Sequence, residues 1–123
     1  MNQLRIQLER QPPLYKPGET LRGKADWHID APQQLQIRLC WFVGGGAIPE
    51  SRVVEKTNVQ AVSLNDCRPF SFRLPAAPYS FFGSLAMLGW AVELVGLAAN
   101  QSARATFQLA PNGAAVNLFG AAE

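Results

Sequence analysis

Apolar and polar residues alternate along most of this chain, which is the period of a β-strand with one buried face. The clearest case is QLQIRLCWFV, in which Leu35, Ile37, Leu39, Trp41 and Val43 share one phase. RVVEKTNVQAVSL, residues 52–64, is rich in β-branched residues but alternates less cleanly, so we expect an edge strand there. Five other segments follow the strand period: residues 4–9, 20–29, 70–74, 84–97 and 103–110.

These patterns predict an all-β protein. No segment of ten or more residues carries a helical stripe with caps, so we expect no substantial helix. About seven strands separated by turn signals are typical of an immunoglobulin-like β-sandwich of two antiparallel sheets. A chain of 123 residues favours one domain, which we place at residues 1–111. Residues 112–123 are small and weakly patterned, which predicts a loose or weakly docked tail.

Proline and glycine mark the joints between these strands. Pro17 and Gly18 fit the central positions of a type II turn, since proline presets the first φ and glycine accepts a positive second φ. Gly23 within a strand suggests a bulge or a close backbone approach. Pro75 and Pro78 should end the preceding strand, so that the chain can cross between the sheets.

Two stretches resemble the arrestin-like domain family. LYKPGETLRG, residues 14–23, is similar to the family's Tyr-x-Pro-Gly-Glu turn with its following strand glycine. PFSFRLP, residues 69–75, then YSFFG, residues 79–83, and a long strand with an aromatic residue, are similar to the family's phenylalanine-rich strand and connector. The matched residues, which we interpret as structural first, are Tyr15, Pro17, Gly18, Glu19, Gly23, Phe70, Phe72, Leu74, Pro75, Ser80, Gly83 and Trp90.

The resemblance is to single-domain microbial members, akin to the sporulation-control group. The chain has length for one sandwich, whereas two-domain arrestins carry a pair. The lysine pair that reads receptor phosphates in visual and receptor arrestins is absent near the N-terminus, so that activity is not carried over. The resemblance implies a non-catalytic scaffold or adaptor that binds protein.

Charge and composition exclude several other classes. The net charge is +2 and the basic residues are scattered singly, which argues against nucleic-acid binding. No stretch approaches the length of a membrane span, although peripheral membrane association stays open. The first ten residues alternate instead of running apolar, so we expect a cytoplasmic protein whose Cys40 and Cys67 are free thiols.

Residues for catalysis or metal binding are scarce. His28 and Asp26 share a strand face, but the sequence brings no nucleophile to them. Two cysteines and one histidine are too few for a standard structural zinc site. Gly44–Gly46 lacks the lysine and the helix of a phosphate-binding loop. We therefore predict a protein that is not an enzyme and uses no cofactor or metal.

Two surfaces are candidates for protein binding. The outward phase of two strands that should be neighbours is unusually apolar, which marks an interface unless a loop, the tail or a local twist covers it. Its residues are Cys40, Phe42, Leu85, Met87, Ala91 and Val95. The second candidate is the edge strand, through Val53, Val54, Val59 and Val62, which could pair with a partner strand.

The sequence thus predicts a protein-interaction module that self-associates through one of these surfaces or binds another protein. The alternative is a sandwich that holds a small ligand or a lipid between its sheets. That alternative requires a cavity lined by residues such as Phe70, Phe72 and Trp90.

Overall fold

The chain is all-β, as the alternating pattern predicts. The structure, a computed structural model, describes residues 3–44, 50–82, 87–97, 101–111 and 116–117, and these contain no helix. The strands are β1 (Gln3–Leu8), β2 (Leu14–Tyr15), β3 (Thr20–His28), β4 (Gln33–Gly44), β5 (Glu50–Ala61), β6 (Asn65–Arg73), β7 (Phe81–Phe82), β8 (Met87–Gly96), β9 (Gln101–Leu109) and β10 (Val116–Asn117).

The strands form two sheets. The small sheet has the order β1-β3-β6 and is antiparallel throughout. In the larger sheet, β8 pairs antiparallel with β4, and β4 with the terminal strand β5. The other side of β8 pairs antiparallel with β7 near Leu88 and with β9 along residues 90–96. The neighbour relation of β4 and β8 that the sequence predicts is confirmed.

Three strands were not predicted from the sequence. Seven strands have six or more residues, and β2, β7 and β10 have two each. β2 runs parallel to β9, and β10 runs parallel to β7, so the larger sheet is not purely antiparallel, in contrast to the prediction of two antiparallel sheets. A strand of two residues is too short to show the alternation of apolar and polar positions by which a strand is recognised. β10 lies in the segment that was expected to be loose, and β7 lies in the connector before residue 83.

The core lies between the sheets and contains the inward phase of every long strand. Trp90 is 0% exposed and Trp27 is 4% exposed, while Trp41 is half-buried at the end of β4 and packs against the core. Other fully or nearly buried side chains are Tyr15, Leu21, Ile29, Leu35, Ile37, Leu39, Val92, Leu94 and Leu109. Burial of this apolar surface is the main stabilising contribution to the fold.

The turn at residues 16–19 confirms the prediction from Pro17 and Gly18. Gly18 has a φ of 82°, and the Glu19 N–H donates to the Lys16 carbonyl oxygen at 3.2 Å. A positive φ at the third residue with this hydrogen bond defines a type II turn. The turn links β2 to β3 and so connects the two sheets.

The proline-rich connector after β6 also crosses between sheets. The Trp90 Nε1–H donates to the Pro78 carbonyl oxygen at 2.8 Å, which ties the connector to β8. Ser80 is 1% exposed, and its backbone N–H donates to the Leu109 carbonyl oxygen at 2.7 Å. Its hydroxyl accepts the Leu109 N–H at 3.0 Å. Two strands of the larger sheet therefore hold the connector in place.

Candidate interaction surfaces

An ion pair that the sequence pattern does not reveal stabilises the turn at residues 16–19. The Glu19 carboxylate accepts hydrogen bonds from Arg10 at 3.0 and 3.3 Å and from the Lys16 N–H at 2.6 Å. The hydrogen bonds from Arg10 lower the pKa of Glu19 below its ordinary value, and the bond from the Lys16 N–H contributes next. Arg10 also donates to the Leu14 carbonyl oxygen and lies 4.5 Å from the centroid of the Tyr15 ring.

This network explains why Tyr15 and Glu19 occur together. Tyr15 is 1% exposed, and its ring packs edge-on against Phe107 at 5.5 Å. Burial raises the pKa of its hydroxyl. The Arg10 guanidinium lies over the Tyr15 ring while it pairs with Glu19. These residues stabilise the junction of β2, β3 and β9, and their role is structural.

The apolar outer face of the larger sheet is more closed than its sequence suggests. Cys40 and Ala91 lie opposite each other on β4 and β8, but their exposures are only 2% and 0%. Phe42, Met87 and Val95 are half-buried, and Leu85 lies outside the described residues, as does Gly83. Cys40 and Ala91 therefore present no accessible side chain to a partner in this conformation.

A charged pair covers part of that outer face. Arg104 on β9 forms an ion pair with Glu93 on β8 at 3.0 Å, and its guanidinium lies 4.7 Å from the centroid of the Phe42 ring. The Phe42 ring itself lies over Gly89, a position with no side chain. Burial raises the pKa of the Cys40 thiol to about 11. Periodicity places these residues on the outer face but cannot show which side chains fold over it.

β5 is the more exposed of the two predicted surfaces. Every residue from Glu50 to Asn58 is exposed, and Val53 and Val54 are each 44% accessible. Val62, just beyond the strand, is 64% accessible, whereas Val59 is buried at 7%. Within the described part of the chain, β5 pairs with β4 on one side and with no strand on the other.

β5 carries an irregularity at its exposed valines. Leu39 lies opposite Glu55 and Cys40 lies opposite Val53, so Val54 is an extra residue in the ladder. Such a bulge bends an edge strand and limits uncontrolled pairing with other chains. The regular half of β5, from Glu55 to Ala61, keeps a continuous register with β4.

An open groove separates β5 from β6, the edge strand of the small sheet. Its volume is about 510 Å³, and Ile37, Val59 and Phe70 supply its apolar lining. Phe72 and Trp90 do not line it; they are 2% and 0% exposed in the packed core. The groove is therefore a surface feature at the seam of the sandwich, not a ligand chamber between the sheets.

His28 and Asp26 do not form the pair that their shared strand face would allow. His28 is exposed and its Nδ1 contacts the Asn65 side-chain oxygen, while the Asp26 carboxylate pairs with Arg5 at 3.5 Å instead of with His28. The described residues contain no group of three or more potential metal ligands from histidine, cysteine, aspartate and glutamate. Cys40 and Cys67 are both free, the first buried and the second exposed. No helix long and apolar enough to cross a bilayer occurs in the described ranges.

Comparison with known proteins supports the fold. No protein-family model matches the chain, and no curated protein matches it. Among solved structures it is similar to Spo0M, a sporulation control protein from Bacillus subtilis, with a TM-score of 0.57 and 14% sequence identity. The match covers 88% of this chain and 48% of the other, so this chain spans about half the length of that protein. The two chains share a β-sandwich fold, which is the fold that the arrestin-type motifs predict.

Proposed function

We propose that this chain is a non-catalytic protein-interaction module that self-associates through the exposed edge of β5. The observation that carries the proposal is the accessibility of Val53 and Val54 on a strand that, among the described strands, pairs on one side only. Exposed apolar side chains beside free backbone groups favour addition of a partner strand. The bulge at Val54 restricts which partners can approach.

The β5 edge is a better candidate than the outer face of β4 and β8. On that face Cys40 and Ala91 are buried, and the Arg104–Glu93 pair would have to move before a partner could reach Phe42. Displacing an ion pair that also stacks on an aromatic ring opposes binding. At the β5 edge, no such rearrangement is required.

We also propose that the chain is a small cytoplasmic arrestin-like protein of the scaffold or adaptor type. The structural role of Tyr15, Gly18 and Glu19 supports this assignment, because these residues build the turn that the family resemblance rests on. The two free cysteines are compatible with a reducing compartment. Sporulation control is a property of the similar protein and is not transferred to this chain.

Sedimentation velocity across a concentration series tests the self-association. We expect a monomer–dimer equilibrium that Val53→Asp and Val54→Asp weaken by about tenfold or more, because a buried carboxylate at an interface is costly. Thr106→Asp, at an exposed position on β9, is the matched control and should leave the equilibrium unchanged. Urea unfolding of each variant verifies that the fold is retained.

Two results would contradict the proposal. A chain that stays monomeric at all concentrations does not self-associate. Association that survives Val53→Asp but is lost in Met87→Glu or Phe42→Arg uses the outer face of β4 and β8 instead.

A further inference from the structure

The two sheets of the sandwich do not cover each other completely at the β5–β6 side. Among the strands that the structure describes, the small sheet ends at β6, whereas the larger sheet continues past β4 to β5. Thr57 and Val59 lie opposite Ile37 and Leu35 on β4, so they share the inward phase of the larger sheet. Thr57 is nevertheless exposed, because none of the described strands lies over it.

The groove between β5 and β6 occupies this uncovered position. It measures about 510 Å³ and combines an apolar lining with the edge of β6 from Arg68 to Ser71. Strands within a sheet are about 4.8 Å apart, and packed sheets are about 10 Å apart. A strand added beside β6 would therefore stand over β5 and complete the second layer.

Pro69 determines which backbone groups of β6 face the groove. The Leu74 N–H donates to the Glu19 carbonyl oxygen at 2.9 Å, so in this ladder Leu74 and the residues at two-residue spacing before it bond to β3. Pro69, which lies opposite Lys24 and has no N–H, belongs to the alternate set, whose backbone points away from β3. Positions two residues apart share this direction in an antiparallel ladder, so the backbone groups of Ser71 also face the groove. The Cys67 N–H also points away from β3, but it is already hydrogen-bonded to the Asp66 carboxylate at 2.8 Å.

Ser71 is therefore the position at which β6 can accept a strand. Its N–H and carbonyl can exchange two hydrogen bonds with one residue of an added strand. The Pro69 carbonyl supplies a further acceptor. The proline and the Asp66–Cys67 hydrogen bond block the rest of this edge, which restricts pairing to a short segment.

The charged side chains that line the groove are basic. Arg22 and Arg68 line it, and none of the described lining residues is acidic. Arg22 lies directly opposite Ser71 on the outer face of the small sheet, so a side chain that stands beside Ser71 on an added strand would share that face with Arg22. Arg68 is bound to Asp66 through its Nε at 3.4 Å, so its terminal nitrogens remain able to bind a second carboxylate.

We propose that this groove binds an extended segment of a partner protein in which an acidic residue stands between two apolar residues. The segment adds to β6 at Ser71. Its acidic side chain lies on the outer face toward Arg22, and its apolar side chains contact Val59 and Phe70. This site is separate from the proposed self-association at Val53 and Val54.

Fluorescence anisotropy with labelled hexapeptides Gly-X-Glu-X-Glu-Gly, where X is Val, Ile, Leu or Phe, tests the proposal. We expect at least one peptide to bind, and its Lys-for-Glu counterpart to bind about tenfold or more weakly. Ser71→Pro removes the N–H that faces the groove without breaking a bond to β3, and it should weaken binding about tenfold or more. Ser71→Ala keeps that N–H and is the matched control, expected to bind as the wild type does.

Arg22→Glu provides a second variant that leaves the backbone unchanged. It should weaken binding of the acidic peptide, whereas Lys16→Glu, at an exposed position outside the groove, should not. Amide chemical-shift changes should concentrate at residues 57–59 and 68–71. Equal affinity of Ser71→Pro and Ser71→Ala, or no binding of any peptide at about 1 mM, would overturn the proposal. Sedimentation velocity of Ser71→Pro separates the two sites, because this variant should still self-associate.

Discussion

The Phe70 ring lies directly against the backbone of Gly23. A Cβ atom at position 23 would stand 2.6 Å from the Phe70 Cζ and would also clash with the Gln7 carbonyl oxygen of β1. The strand glycine and the aromatic residue on the neighbouring strand are thus one packing unit. The close approach predicted for Gly23 is confirmed, and it explains how two separate family-like motifs depend on each other.

We expect Gly23→Ala to destabilise the protein. Overpacking costs about 1–3 kcal/mol, and the reduced entropy of the unfolded chain offsets about 0.4–1 kcal/mol of this. The Gln7 carbonyl belongs to the backbone and cannot rotate aside. Urea unfolding should therefore give a net loss of about 1–2 kcal/mol. Gly44→Ala is the matched control, because its Cβ would meet the Met87 sulfur at an ordinary 3.5 Å. Equal stability of the two variants would contradict this interpretation.

Ser80→Ala should destabilise the fold through an unsatisfied backbone donor. The Ser80 hydroxyl accepts the Leu109 N–H at 3.0 Å, and Leu109 is 0% exposed. Leaving a buried donor without an acceptor costs about 1–3 kcal/mol in the free energy of unfolding. Ser102→Ala, at an exposed position on β9, should change stability by less than about 0.5 kcal/mol. A Ser80→Ala variant as stable as Ser102→Ala would show that water replaces the hydroxyl.

The Arg10–Glu19 pair should make stability depend on pH in the acid range. The folded pKa of Glu19 is lowered, so its contribution is present above the ordinary glutamate value and is lost as pH falls through the folded value. The urea midpoint of the wild type should therefore exceed that of Glu19→Gln at neutral pH, and the difference should shrink in acid. When both proteins also carry Arg10→Gln, the difference in urea midpoint between Glu19 and Glu19→Gln should depend less on pH. If the midpoint difference between the wild type and Glu19→Gln stays constant across pH, the ion pair with Arg10 does not cause it.

The two thiols should react at very different rates. Cys67 is exposed, whereas Cys40 is buried and burial raises its pKa to about 11. At pH 8 about one Cys40 thiol in a thousand would be ionised, and only the thiolate is an effective nucleophile. A thiol-specific chromogenic reagent should therefore titrate one fast thiol in the folded protein and two in urea. Cys67→Ser should abolish the fast phase; a fast phase that survives would place Cys40 within reach of solvent.

The strand interiors follow directly from the sequence because period two assigns each residue to a face. Leu35, Ile37 and Leu39 are buried as predicted, and the turn at Pro17 and Gly18 forms because those two residues carry the required φ preferences. Local chemistry determines these features, so they need no information about distant parts of the chain.

The candidate surfaces could be predicted only in part. The alternation places Cys40 and Phe42 on the outer face, but it contains no information on the Arg104 side chain that folds over Phe42 from another strand. It marks β5 as an edge but does not show the bulge at Val54, which depends on the register with β4. Arg10 was missed because its partner Glu19 lies nine residues away, a spacing that no local period connects.

The sequence by itself determined the all-β class, the buried phase of each long strand and the turn at residues 16–19, since each rests on residues adjacent in the chain. The tertiary structure decided which edges stay open, which outward residues are covered, and how β5 and β6 form a groove. Those features depend on strand order and on how residues far apart in sequence come together, as in the groove that Val59 and Phe70 both line at the seam. Periodicity assigns a side chain to a face of its own strand, and only the packing of the two sheets decides what lies opposite that face.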